Sequence, residues 1–306
     1  MLNNTEYKVS VILPAYNAEK YIDEAIKSIL LQSFTDYEFI IINDGSTDNT
    51  LKIIESFQSQ DKRIKVINRE NKGLVYSLNE GISVAKGEYI ARMDADDISE
   101  IARLEEQVAL LDSGADICGC HYEEIDDNGS VISIKKVPLN SSAIILCLGR
   151  TVPFAHGSVM FKKAKFQKYG LRYGMTTYSK AEDYALWCEM YNKSFVFKNV
   201  DSFLFKYRNI EGTLTSNKQH LLDSASISLA FIKSNYNKLQ DCIHVSSDMK
   251  DFFVIKNYVI LVLLLTFRRK NVFYLFEQLK FKFFYKALKM YISVITKAIS
   301  NQIRFK

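Results

Sequence analysis

Three carboxylates, Asp94, Asp96 and Asp97, fall within four positions at the end of the short apolar run Tyr89-Ile-Ala-Arg-Met93. Like charges at that spacing repel, and holding them ionised together favours a cation among them, so the stretch reads as a metal site. An acidic turn that caps a helix beginning near Ile101 accounts for the same residues, because Asp is a common N-cap. A second polar cluster, Asp44-Gly45-Ser46-Thr47-Asp48, has the composition of a turn with a glycine pivot. Cys118-x-Cys120-His121 has the start of a zinc-ligand spacing, yet no second Cys/His pair follows at finger distance. These cysteines read as buried strand thiols.

The elements that must position these residues alternate regularly. Lys8 to Leu13 is β-branched and closed by Pro14, the pattern of a buried strand running into a loop. Asn17 is placed to cap the following helix, whose Ile22, Ala25, Ile26, Ile29 and Leu30 form one apolar face. Strands over Tyr37 to Asn43, Ile64 to Ile67 and Glu88 to Met93 alternate with helices over Leu51 to Phe57, Leu74 to Ala85 and Ile101 to Asp112. The last helix carries the stripe Ile101, Leu104, Val108 and Leu111. Strands apolar on both faces, separated by amphipathic helices, predict a mostly parallel α/β sheet covered on both sides. In such a sheet the loops at Pro14 to Asn17, Asp44 to Asp48, Asn68 to Gly73 and Asp94 to Asp97 open on one crevice. No Gly-x-Gly-x-x-Gly stands in the first strand-to-helix turn, which argues against a dinucleotide cofactor.

The chain has 306 residues, 48% of them hydrophobic and 25% charged, the balance of an ordered globular protein of about two domains. Five scattered cysteines, and an opening Met1 to Lys8 without an apolar signal core, predict a reducing, cytoplasmic setting. Asp251 to Lys306 holds eleven Lys/Arg against two Asp/Glu, a net of +9, whereas the first 250 residues hold 29 basic and 33 acidic, a net of −4. Opposite signs in the two regions predict different tasks.

The motifs Val9-Ser-Val-Ile-Leu-Pro-Ala-Tyr-Asn17, Ile42-Asn-Asp-Gly-Ser-Thr-Asp48, Asn71-x-Gly73 and Arg92-Met-Asp-Ala-Asp-Asp97 resemble, in order and spacing, the nucleotide-diphospho-sugar domain of family 2 glycosyltransferases, the GT-A fold. The resemblance runs over roughly residues 8 to 215. It implies that Pro14, Ala15, Tyr16 and Asn17 cradle base and ribose, and that Asp44 accepts a hydrogen bond from the base. Arg69 and Lys72 fall in the loop along the diphosphate, and Arg92 and Ala95 flank the aspartates within the donor site. Asp94 and Asp96 correspond to the family's Asp-x-Asp. Its second carboxylate grips Mg2+ or Mn2+, and its first reaches the ribose or the metal's water shell. The remaining member, Asp97, is left as a helix cap.

Farther on, Asp116 to Ile125 and Ser130 to Val137 flank Asp127-Asn128-Gly129, a hairpin signal. Phe154-Ala-His156-Gly-Ser resembles the family's His-x-Ser/Thr strand, which implies an acceptor contact for His156; a structural histidine is the alternative. Ala181-Glu182-Asp183-Tyr184 resembles the Glu-Asp-Tyr motif, in which the aspartate is the general base and Glu182 orients acceptor or metal shell. Asp183 also suits the N-cap of a helix over Tyr184 to Tyr191. Trp187, the only tryptophan, is either an acceptor-stacking ring or core. Tyr207-Arg208 matches the family's Tyr-Arg-x-His ending, but Ile210 stands where the histidine belongs. Glu211 to Lys218 is polar and contains glycine, and reads either as a loop closing on the donor or as a linker.

These features divide the chain into a nucleotide-sugar half (1–112), an acceptor and catalytic half (113–216) and a helical C-terminal region (217–306). In the last, Lys282, Lys286, Lys289, Ser293 and Lys297 line one helix face opposite Phe284, Leu288, Tyr291, Ile295 and Ile299. That pattern suits an anionic membrane surface. A helix packed on the rest of the protein, or on a second copy in a homodimer, is the alternative. Tyr258 to Phe267 is too short to span a bilayer, and the acidic catalytic half argues against nucleic acid. The resemblance implies an inverting, metal-assisted hexosyltransferase using a UDP-sugar, acting on a saccharide or lipid-linked saccharide of O-antigen or capsule synthesis at the inner face of the cytoplasmic membrane. A catalytically silent sugar-nucleotide-binding scaffold and a polyprenyl-phosphate sugar synthase are the competing readings.

Overall fold

The computed structural model describes residues 5–178, 180–210, 218–244, 249–266 and 281–304. The chain folds as two compact units whose segments interleave along the sequence: 1–137, 154–175 and 193–211 form the first, and 138–153, 176–192 and 212–306 the second.

The first unit holds one mixed sheet. Its strands are β1 (Tyr7–Ala15), β2 (Tyr37–Asp44), β3 (Ile64–Arg69), β4 (Gly87–Arg92), β5 (Ile98–Ser99), β6 (Ile117–Ile125), β7 (Val131–Lys135), β8 (Met160–Lys162) and β9 (Phe197–Arg208). They lie in the order β3-β2-β1-β4-β8-β6-β9-β5, with β7 paired to β6. The first four are parallel, β8 runs antiparallel between β4 and β6, and β6 and β9 are parallel to each other. The carboxyl ends of β1, β2, β3, β4, β6 and β9 therefore share one edge. Helices α1 (Ile22–Leu30), α2 (Thr50–Gln58), α3 (Leu74–Val84), α4 (Arg103–Asp112) and α6 (Lys163–Lys168) belong to this unit, with α5 (Ser141–Leu148) in the other.

The β-branched character of β1 and β2 explains their place at the centre. Val9, Val11, Leu13, Phe39, Ile40, Ile41 and Ile42 are all buried, and each such side chain contributes about 1.5–3 kcal/mol on leaving water. In α1 the predicted face meets this core, with Ile22, Ala25, Ile26 and Ile29 buried and Leu30 half-buried against it. The α4 stripe needs one correction. Leu104, Val108 and Leu111 are buried, but Ile101 precedes the helix and is 62% exposed. The hidden face of α4 is completed instead by Arg103 and Gln107, both fully buried.

The second unit is helical: α5, α7 (Glu182–Asn192), α8 (Lys218–Ser234), α9 (Tyr236–Cys242), α10 (Lys250–Thr266) and α11 (Phe281–Arg304). Within it α11 packs on α10 and α8. Ala287 and Val294 are buried, and Phe283 stacks on Phe253 of α10 with ring centroids 5.6 Å apart. Phe284, Leu288, Tyr291 and Ile295 are half-buried, so the stripe assigned to lipid is turned at least partly to protein. Lys282, Lys286 and Lys289 are exposed, with Tyr285 and Ile292 among them. The side chains of Lys297 and Ile299 lie outside the described residues. No helix among the described residues is long and apolar enough to cross a membrane. All five cysteines are buried and free; Cys118 and Cys120 lie in β6, as the strand-thiol reading expects, and Cys147, Cys188 and Cys242 lie in helices.

Candidate active site

The first two loops are stitched to each other. Asn17 stands at φ +48°, and its Oδ1 accepts the Thr47 N–H at 2.8 Å while its own N–H donates to Ser46 Oγ at 3.0 Å. The Ala18 N–H donates to Thr50 Oγ1 at 2.8 Å, and the Asn49 N–H to Glu19 Oε2 at 3.0 Å. Helix α1 starts five residues beyond Asn17, with no side-chain cap, so Asn17 joins loops and caps no helix. Pro14 and Ala15 are buried in the strand end, while the Tyr16 ring stands 54% exposed at the mouth of the loop.

Asp44 and Arg69 are cross-strand partners at the ends of β2 and β3. The Asp44 carboxylate is buried and takes the Arg69 guanidinium, the Lys72 N–H at 2.8 Å and the Gly73 N–H at 2.9 Å. Three protein donors leave one lone pair for a base, so in this structure Asp44 first shapes the loop. Arg69 also donates to Glu80 at 2.6 Å and Ser77 at 2.8 Å. Its charge is matched by two carboxylates, which removes it as a ready phosphate ligand. The exposed Lys72 ammonium instead sits 4.7 Å from the centroid of the Tyr76 ring. Gly45 is obligatory: at φ +73° a Cβ would lie 2.5 Å from the Asn71 N.

The aspartate run follows β4 and is held from beneath and from the side. Arg92 is buried, with its guanidinium against the Asp94 carboxylate. Asp94 and Asp96 are partly exposed, whereas Asp97 is 1% exposed. Asp97 Oδ1 accepts the Arg208 N–H at 2.8 Å, and its buried Oδ2 has no partner among the described residues. Asp97 is therefore tied to β9 and does not cap α4, whose N-cap is Ala102. Burial raises the carboxyl of Asp96 above its ordinary value; burial and then the Asp96 charge raise that of Asp97. Below the run, Arg103 donates to Ser99 Oγ at 2.6 Å, to Gln107 Oε1 at 3.2 Å and to the Arg92 carbonyl. Gln107 passes the support on to the Ser158 carbonyl at 2.7 Å. Gly157 closes the wall: a Cβ there would lie 2.6 Å from Phe205, 2.8 Å from Asp97 Oδ2 and 3.0 Å from Asp94 Oδ2.

Hard carboxylate oxygens on Asp94 and Asp96 suit Mg2+ or Mn2+, which bind through one or two carboxylates completed by substrate phosphates. No group of three metal-ligating side chains occurs among the described residues. Ala95, between the two carboxylates, is buried and offers backbone.

His156 opens a one-turn 3-10 helix, half-buried, with Nε2 3.0 Å from the Tyr173 hydroxyl. Burial, with the Arg92 charge second, holds its imidazole well below the ordinary value, so the ring is neutral at pH 7. The Asn79 amide clamps Tyr173 at both its N–H and its carbonyl, each at 3.0 Å.

In the second unit, Glu182 and Asp183 are half-exposed on the first turn of α7, after Ala181 at φ +61°. Asp183 Oδ1 accepts the Tyr184 N–H at 2.7 Å. Trp187 is fully buried, so its ring is core and no platform for a sugar. Asp223 orders the approach to α7, accepting from the Lys180 N–H and from Gln219, both at 2.8 Å. Of Glu211 to Lys218, the stretch expected to close on the donor or to serve as a linker, residues 211–217 lie outside the described residues.

The sequence model of Glycosyl transferase family 2 matches residues 10–170, which takes in every loop of the crevice. The chain belongs to this family. The O-antigen biosynthesis glycosyltransferase WbnJ of Escherichia coli is 34% identical over 65% of this chain and 79% of its own length. Among solved structures, residues 1–349 of S. aureus TarS in complex with UDP-GlcNAc share 21% identity at TM-score 0.62, covering 94% of this chain and 81% of that one. The mannosyltransferase PcManGT from Pyrobaculum calidifontis, in complex with GDP-Man and Mn2+, shares 16% identity at TM-score 0.58, covering 98% of this chain and 88% of that one. These likenesses establish the GT-A fold for this glycosyltransferase.

Arg103, Gln107 and Gly157 build the site without any role legible in the sequence, and Arg208 is legible there only as part of the Tyr207-Arg208 match. Arg103 and Gln107 sit on a face scored for apolar residues, so polar core members escaped notice. Gly157 borders the aspartates from 60 residues away, and Arg208 reaches them from more than 110. The tight Phe-Ala-His-Gly-Ser stretch, with its glycine beside a half-buried histidine, is the one local signal that points to close packing there.

Proposed function

We propose that this glycosyltransferase moves a sugar from a nucleoside-diphosphate donor, a UDP-sugar, to a saccharide hydroxyl with inversion at the anomeric carbon. The observation that carries the reading is the convergence, at one sheet edge, of the exposed Tyr16, the Asp44 loop and the Asp94–Asp96 carboxylates. Tyr16 and the Asn17 turn receive base and ribose, the remaining lone pair of Asp44 accepts a base N–H, and Lys72 lies along the phosphates. Asp94 and Asp96 would hold Mg2+ or Mn2+, which when bound stabilises the departing diphosphate. Asp183 takes the proton of the acceptor hydroxyl as its oxygen bonds to the anomeric carbon. The bond from that carbon to the phosphate oxygen breaks, and its electron pair leaves with the nucleoside diphosphate. Glu182 orients the acceptor, and neutral His156 offers it a hydrogen-bonding edge.

The UDP-GlcNAc complex of TarS supports a UDP-sugar donor, and the O-antigen biosynthesis in the name of WbnJ supports a polysaccharide acceptor; a lipid-linked form of that acceptor is part of the proposal. The test is sugar transfer by Asp183→Asn alongside UDP binding by calorimetry. Loss of transfer by 10³-fold or so with binding intact is expected, and undiminished turnover refutes the base. Metal-dependent UDP release without acceptor separates an enzyme from a silent binder.

The outward face of α11 supports a peripheral position at the inner face of the cytoplasmic membrane. The lysines at 282, 286 and 289, with Tyr285 and Ile292 between them, suit anionic headgroups. Sedimentation with phosphatidylglycerol vesicles that is lost at high salt, and absent with phosphatidylcholine alone, is the expected result.

A further inference from the structure

Arg208 is the last residue of β9. Its main-chain N–H donates to Asp97 Oδ1 at 2.8 Å and its Nε to the Asp96 carbonyl at 2.8 Å. One terminal nitrogen reaches the Asp126 and Asp127 carbonyls at the β6–β7 hairpin tip, at 3.0 and 3.3 Å. The other donates to Glu24 of α1 at 2.6 Å, and the guanidinium plane lies 4.6 Å from the Tyr21 ring centroid. The side chain is 2% exposed, while its one carboxylate partner among the described residues, Glu24, is 53% exposed. A buried guanidinium whose donors end mostly on carbonyls is an expensive way to fill space. The planar fork does what no apolar side chain can: it fixes a turn, a hairpin tip and a helix against one another.

We propose that Arg208 is a positioning residue for the donor site, setting the Asp96–Asp97 turn and the Asp126–Asp127 hairpin tip as one piece. The inference rests on the glycosyltransferase reading and adds a residue to it. Arg208 stands back from the donor; its main-chain N–H holds the Asp97 carboxylate, and its guanidinium acts through the Asp96 carbonyl and the hairpin-tip carbonyls that it holds in place. Lysine keeps the charge but cannot make the fork, because its single ammonium cannot span the Asp96 carbonyl, the hairpin carbonyls and Glu24 together.

The test measures the UDP dissociation constant with MnCl2 by calorimetry, the donor KM and kcat, and the melting temperature, for wild type, Arg208→Lys and Glu24→Ala. Positioning predicts about a tenfold rise in both the dissociation constant and KM for Arg208→Lys, and about threefold for Glu24→Ala, a half-exposed site that the fold tolerates. A merely structural role would lower the active fraction and melting temperature while leaving KM and the dissociation constant unchanged, and that result overturns the proposal. Should Arg208→Lys fail to fold, Glu24→Ala decides alone. A wild-type chain that binds neither UDP nor GDP overturns the donor reading and this inference together. Equal binding by wild type and both variants overturns the inference only.

Discussion

Gly157→Ala is the smallest change that reaches the aspartates. The added Cβ would stand 2.6 Å from the tip of Phe205, 2.8 Å from Asp97 Oδ2 and 3.0 Å from Asp94 Oδ2. The ring is fully buried and one carboxylate nearly so, and neither is the loose end of a flexible chain. Overpacking of this kind costs about 1–3 kcal/mol. Taking ~2 kcal/mol, the first unit should melt roughly 4–8 °C lower. Part of the strain is relieved by moving Asp94 or Asp97, and a displacement of about 1 Å at a positioned group lowers turnover about 100-fold. Thermal melts and donor-hydrolysis rates on the same preparations check both numbers. A Gly157→Ala variant with unchanged melting and unchanged rate would refute the claim that Gly157 sets the carboxylate geometry.

Trp187→Ala should destabilise the helical unit by about 3–5 kcal/mol, the usual loss for a buried large aromatic, read by chemical denaturation. Trp187→Phe should retain the donor KM, since the ring meets no ligand. Asp44→Ala strands the Lys72 and Gly73 N–H groups and takes from Arg69 one of its two carboxylates, so the loop should lose order and UDP affinity should fall about tenfold by calorimetry. His156 is held neutral by the fold, so the unfolded ring, near pKa 6.5, takes a proton first on acidification. Its contribution is complete above pH 6.5 and lost as pH falls, by up to about 1.4 kcal/mol at pH 5.5. Denaturation midpoints of wild type and His156→Gln at pH 7.5 and 5.5 should diverge in that direction.

The parallel strands were legible because β-branched runs such as Phe39-Ile-Ile-Ile42 have few alternatives to burial on both faces. The crevice was legible because its loops each end a strand. Partnership was not. Asp44 and Arg69 look like two ligand-binding residues in sequence, and only the register of β2 against β3 makes them a pair. Asn17 has the composition of a cap, but its positive φ turns it toward Thr47. In α11, Lys282, Lys286 and Lys289 are exposed and Phe284, Leu288, Tyr291 and Ile295 half-buried, as the period divides them, yet a helical period cannot say whether the apolar side meets lipid or α10. Periodicity is equally silent about Arg103, whose charge is buried and pulled down to about 10 by loss of water.

β9 pairs in parallel with β6 across some 80 residues of intervening chain and carries Arg208 at its end. During synthesis the chain therefore emerges with its aspartate run long before the strand that secures it. Until residue 208 has been made, Asp97 lacks its N–H donor and the hairpin tip its guanidinium, while β6 presents an open edge. Contacts this distant form late and slowly, and donor recognition should be the last property the nascent protein acquires. A product that stops at residue 170 would contain all four crevice loops and still be unable to hold them.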